Sequence, residues 1–163
     1  MTTIKNAPKL LLAACATFCV NWCTILPAHA DYVTPTIRHE PFGDMKVVVP
    51  LTSSDPHVWQ FRLANIANGM RVTAASGGSM QVKVVVYGGA VGLLKQPVGQ
   101  DLRAALDAAR AAGVQIEVCN LSLKGGNIDW HELYGVQEAD IVPSGFGEVS
   151  FLASHGWVLN AAN

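Results

Sequence analysis

Cysteine is the residue type here best suited to covalent chemistry. Cys15, Cys19 and Cys23 crowd the N-terminus, and Cys119 stands alone. Four cysteines in 163 residues would ordinarily suggest a disulfide framework with three possible connectivities. The leader removes that reading. Lys5 and Lys9 give a positive start, residues 10–26 carry no charge, and Ala28-His29-Ala30 fits the small-x-small rule for cleavage, so residues 1–30 read as a secretory signal peptide. Two other readings compete with it. The 17-residue apolar run sits at the short limit for a retained membrane anchor and is broken by Asn21 and Pro27, while Leu12-Ala13-Ala14-Cys15 has the form of a lipoprotein acylation signal. Cleavage after Ala30 removes 30 of 163 residues and leaves 133, with one cysteine, in a periplasmic or secreted product.

An exported chain with one thiol makes no internal disulfide, so Cys119 is expected to be either buried or functional. Both readings stay open at this point. A packed thiol is a small apolar side chain that ends a strand. A reactive one is a thiolate for much of the time, which needs a nearby cation or helix N-terminus. The start of the helix predicted after Ser144-Gly145 supplies the helix terminus, and Lys124 or His131 the cation. Asn120 and Ser122 follow Cys119 at once, and the Gly88-Gly89 loop exits another strand where backbone can approach a ligand.

Other chemistries find less support. His39, His57, His131 and His155 lie singly, without metal-ligand spacing. The segment Gly88-Gly89-Ala90-Val91-Gly92 is neither G-x-G-x-x-G nor a P-loop, and no serine stands between Gly145 and Gly147 as in a nucleophile elbow. Two of 11 Lys and Arg leave with the leader, so 9 face 12 Asp and Glu, a charge of −3 that argues against a phosphate-backbone binder. Trp59, Trp130 and Trp157 are too dispersed for base stacking. Half the chain is hydrophobic and 14% is charged, which excludes a disordered segment.

The elements that must position Cys119 follow from pattern. Residues 31–44 read as an extended arm, and residues 45–163 as one domain without repeats. Met45 to Leu51 and Gln81 to Tyr87 are continuous valine-rich runs, suited to parallel strands covered on both faces. Pro50 ends the first or lies where its N–H is not needed. Thr52 to Pro56 offers N-caps for a helix with Trp59, Leu63, Ile66 and Met70 on one face and Gly69 as terminator. Leu102, Ala105, Leu106 and Ala109 mark a second helix stopped by Gly113, and Val114 to Cys119 is a third strand. A turn at Lys124-Gly125-Gly126 follows, then a capping box Asp129-x-x-Glu132 over a short helix. Ile141 to Pro143 is a brief strand, Ser144 caps a helix to about His155, and Trp157 to Asn160 is a final strand. This βαβαβαβαβ order predicts a three-layer α/β/α sandwich on a mainly parallel sheet of about five strands.

Four stretches together resemble the DsrE/DsrF-like family of sulfur-relay proteins, in particular its small exported members: WQFRLANIAN (59–68), VVVYGGAVGLL (84–94), AGVQIEVCNLSL (112–123) and VPSGFGEVSFLASHGW (142–157). The resemblance implies an α/β/α fold and homo-oligomers, often trimers or hexamers. It also implies a strand-end cysteine, matched by Cys119, that accepts a sulfane sulfur and carries it as a persulfide. Tyr87 departs from relatives, which often have histidine there. The expected function is a periplasmic sulfur carrier or sulfurtransferase, with Gly88, Gly89, Asn120, Ser144 and Gly145 stabilising the anionic sulfur and a small sulfur compound or partner thiol protein as the other party. Thiol exchange alone is required, so no metal or organic cofactor is implied, nor nucleic acid, nor a stable membrane span after cleavage. The competing expectation is a non-catalytic binding subunit of an oligomer in which Cys119 is packed.

Overall fold

The computed structural model describes residues 32–36 and 38–161. The chain divides into residues 1–36 and 37–163. Of the first unit, residues 32–36 form no regular structure, and the expected signal peptide, its cleavage site and Cys15, Cys19 and Cys23 lie outside the described residues.

The second unit is built on five parallel strands: β1 (Asp44–Leu51), β2 (Ser79–Val86), β3 (Gln115–Cys119), β4 (Ile141–Val142) and β5 (Val158–Leu159), in the order β4-β3-β2-β1-β5. Four helices connect them: α1 (Pro56–Ala75), α2 (Gln100–Ala111), α3 (Asn120–Gly126) and α4 (Gly145–Ser154). The valine runs are continuous because both sheet faces are covered. Val47, Val49 and Leu51 of β1 pack with Trp59 and Leu63 of α1 and Leu102 and Leu106 of α2, whereas Val48 packs with Val149 and Leu152 of α4 on the other face. Pro50 lies inside β1, opposite Val85. It shares parity with Val48, whose carbonyl accepts from Asn160 beyond β5, so its missing N–H faces the side where β5 has already ended.

The starts of α1, α2 and α4 follow the sequence closely, whereas the end of α1 and the turn expected after β3 do not. Asp55 caps α1, its carboxylate accepting from the His57 N–H at 2.8 Å, with Pro56 at the first helical position. Gly69 does not terminate α1. The helix runs through it to Ala75 and stops where Gly77 takes φ 79°. One internal glycine costs about 1 kcal/mol, which is outweighed by burying Thr73 and packing Met70 against the core. Lys124-Gly125-Gly126 is likewise not a turn after β3. It is the last turn of α3, closed by Asn127 in the left-handed region, so the chain passes from Cys119 straight into a helix. Asp129 caps a 3-10 turn at Trp130–Glu132 by accepting from the His131 N–H, but Glu132 pairs with Lys95 at 2.8 Å rather than completing a capping box.

On the α4 face of the sheet, Lys83 and Glu117 form an ion pair at 2.5 Å, with the Trp157 ring 5.6 Å from the ammonium. No helix of the described residues is long and apolar enough to cross a membrane.

Candidate active site at Cys119

The strand order places one reversal in the sheet. β3 and β4 are neighbours, yet the chain leaves β3 into α3 and β4 into α4, and these two helices pack on opposite faces. Leu123 of α3 belongs to the cluster of Trp59 and Leu102, whereas Val149 and Leu152 of α4 join Val48 and Val85. Connections that part in this way open a crevice at the carboxyl ends of their strands. Cys119 is the last residue of β3, and Ser144 and Gly145 follow β4.

Side-chain alternation aims Cys119 at that crevice. Val118 faces the α1–α2 core, so the next side chain points to the α4 side. Cys119 is also the N-cap residue of α3, and Ser144 is the N-cap of α4, its hydroxyl accepting from the Gly147 N–H at 3.2 Å. Two helix starts therefore meet at one sulfur. Burial, with Cys119 only 4% exposed, is the largest single influence on its ionisation and pushes the thiol up. The Ser122 hydroxyl and the N–H groups of Gly145, Ser122 and Leu121 together outweigh it and hold Cys119 below its ordinary value of 9.0. The neutral side chain closes no capping hydrogen bond onto α3. A thiol is a weak acceptor and a thiolate a strong one, so the surrounding donors select the anion.

Gly145 is required by its neighbour. A Cβ there would fall 2.6 Å from the Cβ of Tyr87 and 2.8 Å from its Cδ1. Tyr87 thus packs on the bare Cα of α4's first residue, which brings the Gly145 N–H to the sulfur. Gly88, next along, donates its N–H to the Ser122 hydroxyl at 2.8 Å.

Cys119, Ser144, Gly145 and Gly88 thus gather in one place, Gly88 through Ser122. The other candidates stand apart. Asn120 and Lys124 share one flank of α3 and line an open polar groove of about 680 Å³ with Lys95, Asn127 and Trp130. Ser122, two residues from each, is on the opposite flank. His131 is exposed at the far side of that groove's wall, its Nδ1 2.7 Å from Asp129 Oδ1 and its ring stacked on Trp130. This hydrogen bond and the His131 N–H hold Asp129 below the usual carboxylate range. Burial and the four donors, rather than Lys124 or His131, set the ionisation of Cys119. Gly89 sits against Ser54 near the exit of β1. Among the described residues no three His, Cys, Asp or Glu side chains gather as a metal site.

Ser122 is visible in the sequence as a polar neighbour of Cys119, but not as a member of the site. Its signal was the spacing Cys-x-x-Ser at a strand-to-helix junction, hidden by taking Lys124-Gly125-Gly126 for a turn. With Cys119 as N-cap, Ser122 is the third helical residue, where a side chain can reach back to the cap.

The residues that build this crevice all fall inside the segment 46–161, which matches the DsrE/DsrF-like family. The chain belongs to that family. A solved structure of a protein of unknown function from Methanobacterium thermoautotrophicum is similar to this DsrE/DsrF-like chain at 23% identity and a TM-score of 0.62, covering 73% of this chain and 100% of that one. At that identity the likeness speaks for the fold. No curated protein matches the chain.

The lowered thiol makes a pH prediction for this family member. Alkylation of the native chain by iodoacetamide is expected to titrate with a midpoint below 9.0, the ordinary thiol value. Ser122→Ala is expected to move that midpoint upward. Because the folded value is depressed, the native state binds fewer protons than the unfolded one near the thiol's titration. The stability this contributes is complete above the unfolded pKa and is lost as pH falls through the folded one. A rate-against-pH curve with a midpoint at or above 9.0 contradicts the assignment.

Proposed function

We propose that the chain is an exported sulfur carrier in which the Cys119 thiolate attacks a sulfane sulfur and holds it as a persulfide until an acceptor thiol collects it. One observation carries the reading: Cys119 ends β3 at the reversal point of a parallel sheet, beside the start of α4, where the Ser122 hydroxyl and backbone N–H groups hold its thiol below the ordinary value. Membership of the DsrE/DsrF-like family supports a role related to sulfur relay.

The steps need only thiol exchange. With a persulfide donor, Cys119–S⁻ attacks the outer sulfur of R–S–SH, giving Cys119–S–SH and R–S⁻. With thiosulfate the same attack gives Cys119–S–S⁻ and sulfite. An acceptor thiolate then takes the outer sulfur and returns Cys119–S⁻. Donors placed around an anionic sulfur stabilise the starting thiolate and the persulfide alike.

Export is part of the proposal and rests on Lys5, Lys9, the uncharged residues 10–26 and Ala28-His29-Ala30. Assembly with further copies is also proposed, supported by the exposed Phe146 and Phe151 on α4 beside exposed Val158 and Leu159 on β5. The experiment that tests the carrier reading is loading with inorganic polysulfide, removal of the excess, and treatment with cold cyanide, which takes the outer sulfur of a persulfide as thiocyanate. About one thiocyanate per chain is expected. A yield indistinguishable from that of a chain alkylated beforehand contradicts the reading.

A further inference from the structure

Ser122 occupies a position with a second consequence. It lies three residues after Cys119 at the start of α3, the spacing at which a redox dithiol of the Cys-x-x-Cys type carries its resolving thiol. Side chains three apart on a helix are neighbours, within reach of a disulfide bond. Here that place holds a hydroxyl, which accepts the Gly88 N–H at 2.8 Å and is among the groups that lower the ionisation of Cys119. A serine has one proton, and with the backbone N–H already filling an acceptor site on its oxygen, that proton is free to be donated to an anionic sulfur. Among the described residues Cys119 is the free cysteine, and none of the groups packed around its sulfur is a thiol.

We propose that Ser122 is a positioning and specificity-determining residue: it holds the sulfur anion on Cys119 where a resolving thiol would otherwise discharge it, so that the sulfur leaves only to an external thiol. The inference rests on the persulfide reading of Cys119. A thiol at position 122 would attack the inner sulfur of Cys119–S–SH, form a bond between the two side chains and expel HS⁻. The outer sulfur is then reduced to sulfide while the attacking thiol's sulfur is oxidised to the disulfide level that the Cys119 sulfur already has, and no outside oxidant enters. Serine performs no such attack and keeps the charge-assisted hydrogen bond.

The test uses the full chain, its Ser122→Cys variant and its Ser122→Ala variant, each loaded with sodium tetrasulfide and freed of excess. The native chain is expected to retain an adduct of about 32 Da at Cys119 until an external thiol is added. Ser122→Cys is expected to release about one sulfide per chain without added thiol, to lose about 2 Da as an internal disulfide, and to shorten the adduct's lifetime at least a hundredfold. Ser122→Ala is expected to keep the adduct, because it also lacks a resolving thiol, but to load about tenfold more slowly at neutral pH. A Ser122→Cys chain that holds its sulfur as long as the native chain overturns this inference alone. A native chain that takes up no sulfur at Cys119 overturns it together with the carrier reading, and the two failures are told apart by the native control.

Discussion

Cys119→Ser is expected to abolish loading of labile sulfur, at least about a hundredfold below the native chain, while leaving the thermal midpoint within a few degrees. The two halves of this prediction come from different physics. Serine is among the best N-cap residues, and its hydroxyl at the N-cap of α3 can accept from the Leu121 and Ser122 N–H groups. The helix start therefore keeps a partner, and a side chain only 4% exposed is exchanged for one of similar size. The chemistry has no such substitute, because a serine hydroxyl is not ionised near neutrality and no base lies among the groups that face Cys119. Retained folding with lost uptake separates a reactive thiol from a packed one. Uptake that survives the substitution places the sulfur elsewhere.

The second large effect is expected at Gly145. In Gly145→Ala the new methyl would meet Tyr87 at 2.6 Å from its Cβ, 2.8 Å from Cδ1 and 2.9 Å from Cγ. The nearest of these atoms, the Cβ, is fixed to the backbone, so a rotamer change does not clear it. Either Tyr87 and the strand exit that carries it move, or the first turn of α4 does. Overpacking of this kind costs about 1–3 kcal/mol, on the order of 5 °C in Tm for a domain of this size. Displacing α4 also draws the Gly145 N–H away from the sulfur, so iodoacetamide alkylation at neutral pH is expected to slow about tenfold. Combining the substitution with Tyr87→Gly supplies the control. Residue 87 has an extended backbone, φ −151°, which glycine adopts freely, so Gly145→Ala is expected to cost less than about 0.5 kcal/mol in that background. A full additive penalty in the double variant would show that Tyr87 is not the cause.

Much of this arrangement is legible in the sequence where local signals and burial agree. The runs Val47-Val48-Val49 and Val84-Val85-Val86 announce strands covered on both faces, and Asp55-Pro56 and Ser144 announce helix starts through their own chemistry. Helix ends were less legible. Glycine signals a stop at Gly69, where the burial of Thr73 further along α1 decides otherwise, and Lys124-Gly125-Gly126 signals a turn where the packing of Leu123 instead makes it the end of a helix. The misplaced turn concealed Ser122, since only a helix beginning at Asn120 brings position 122 back to position 119. Lys124 and His131 lie near Cys119 in sequence or chemistry, but helix geometry turns Lys124 to the other flank of α3, and Asp129 holds His131 away. Tyr87 is identifiable in sequence as a departure from relatives. Its part in fixing Gly145 depends on two loops 58 positions apart and had no local trace.

The most direct test of sulfur carriage at Cys119 is the mass of the Cys119-containing peptide, taken from the native chain after exposure to polysulfide and digestion at low pH without reductant. An added mass of about 32 Da is expected on that peptide, absent from the same peptide of Cys119→Ser and removed by an external thiol. An unchanged Cys119 peptide, or the added sulfur found on any other residue, would contradict it.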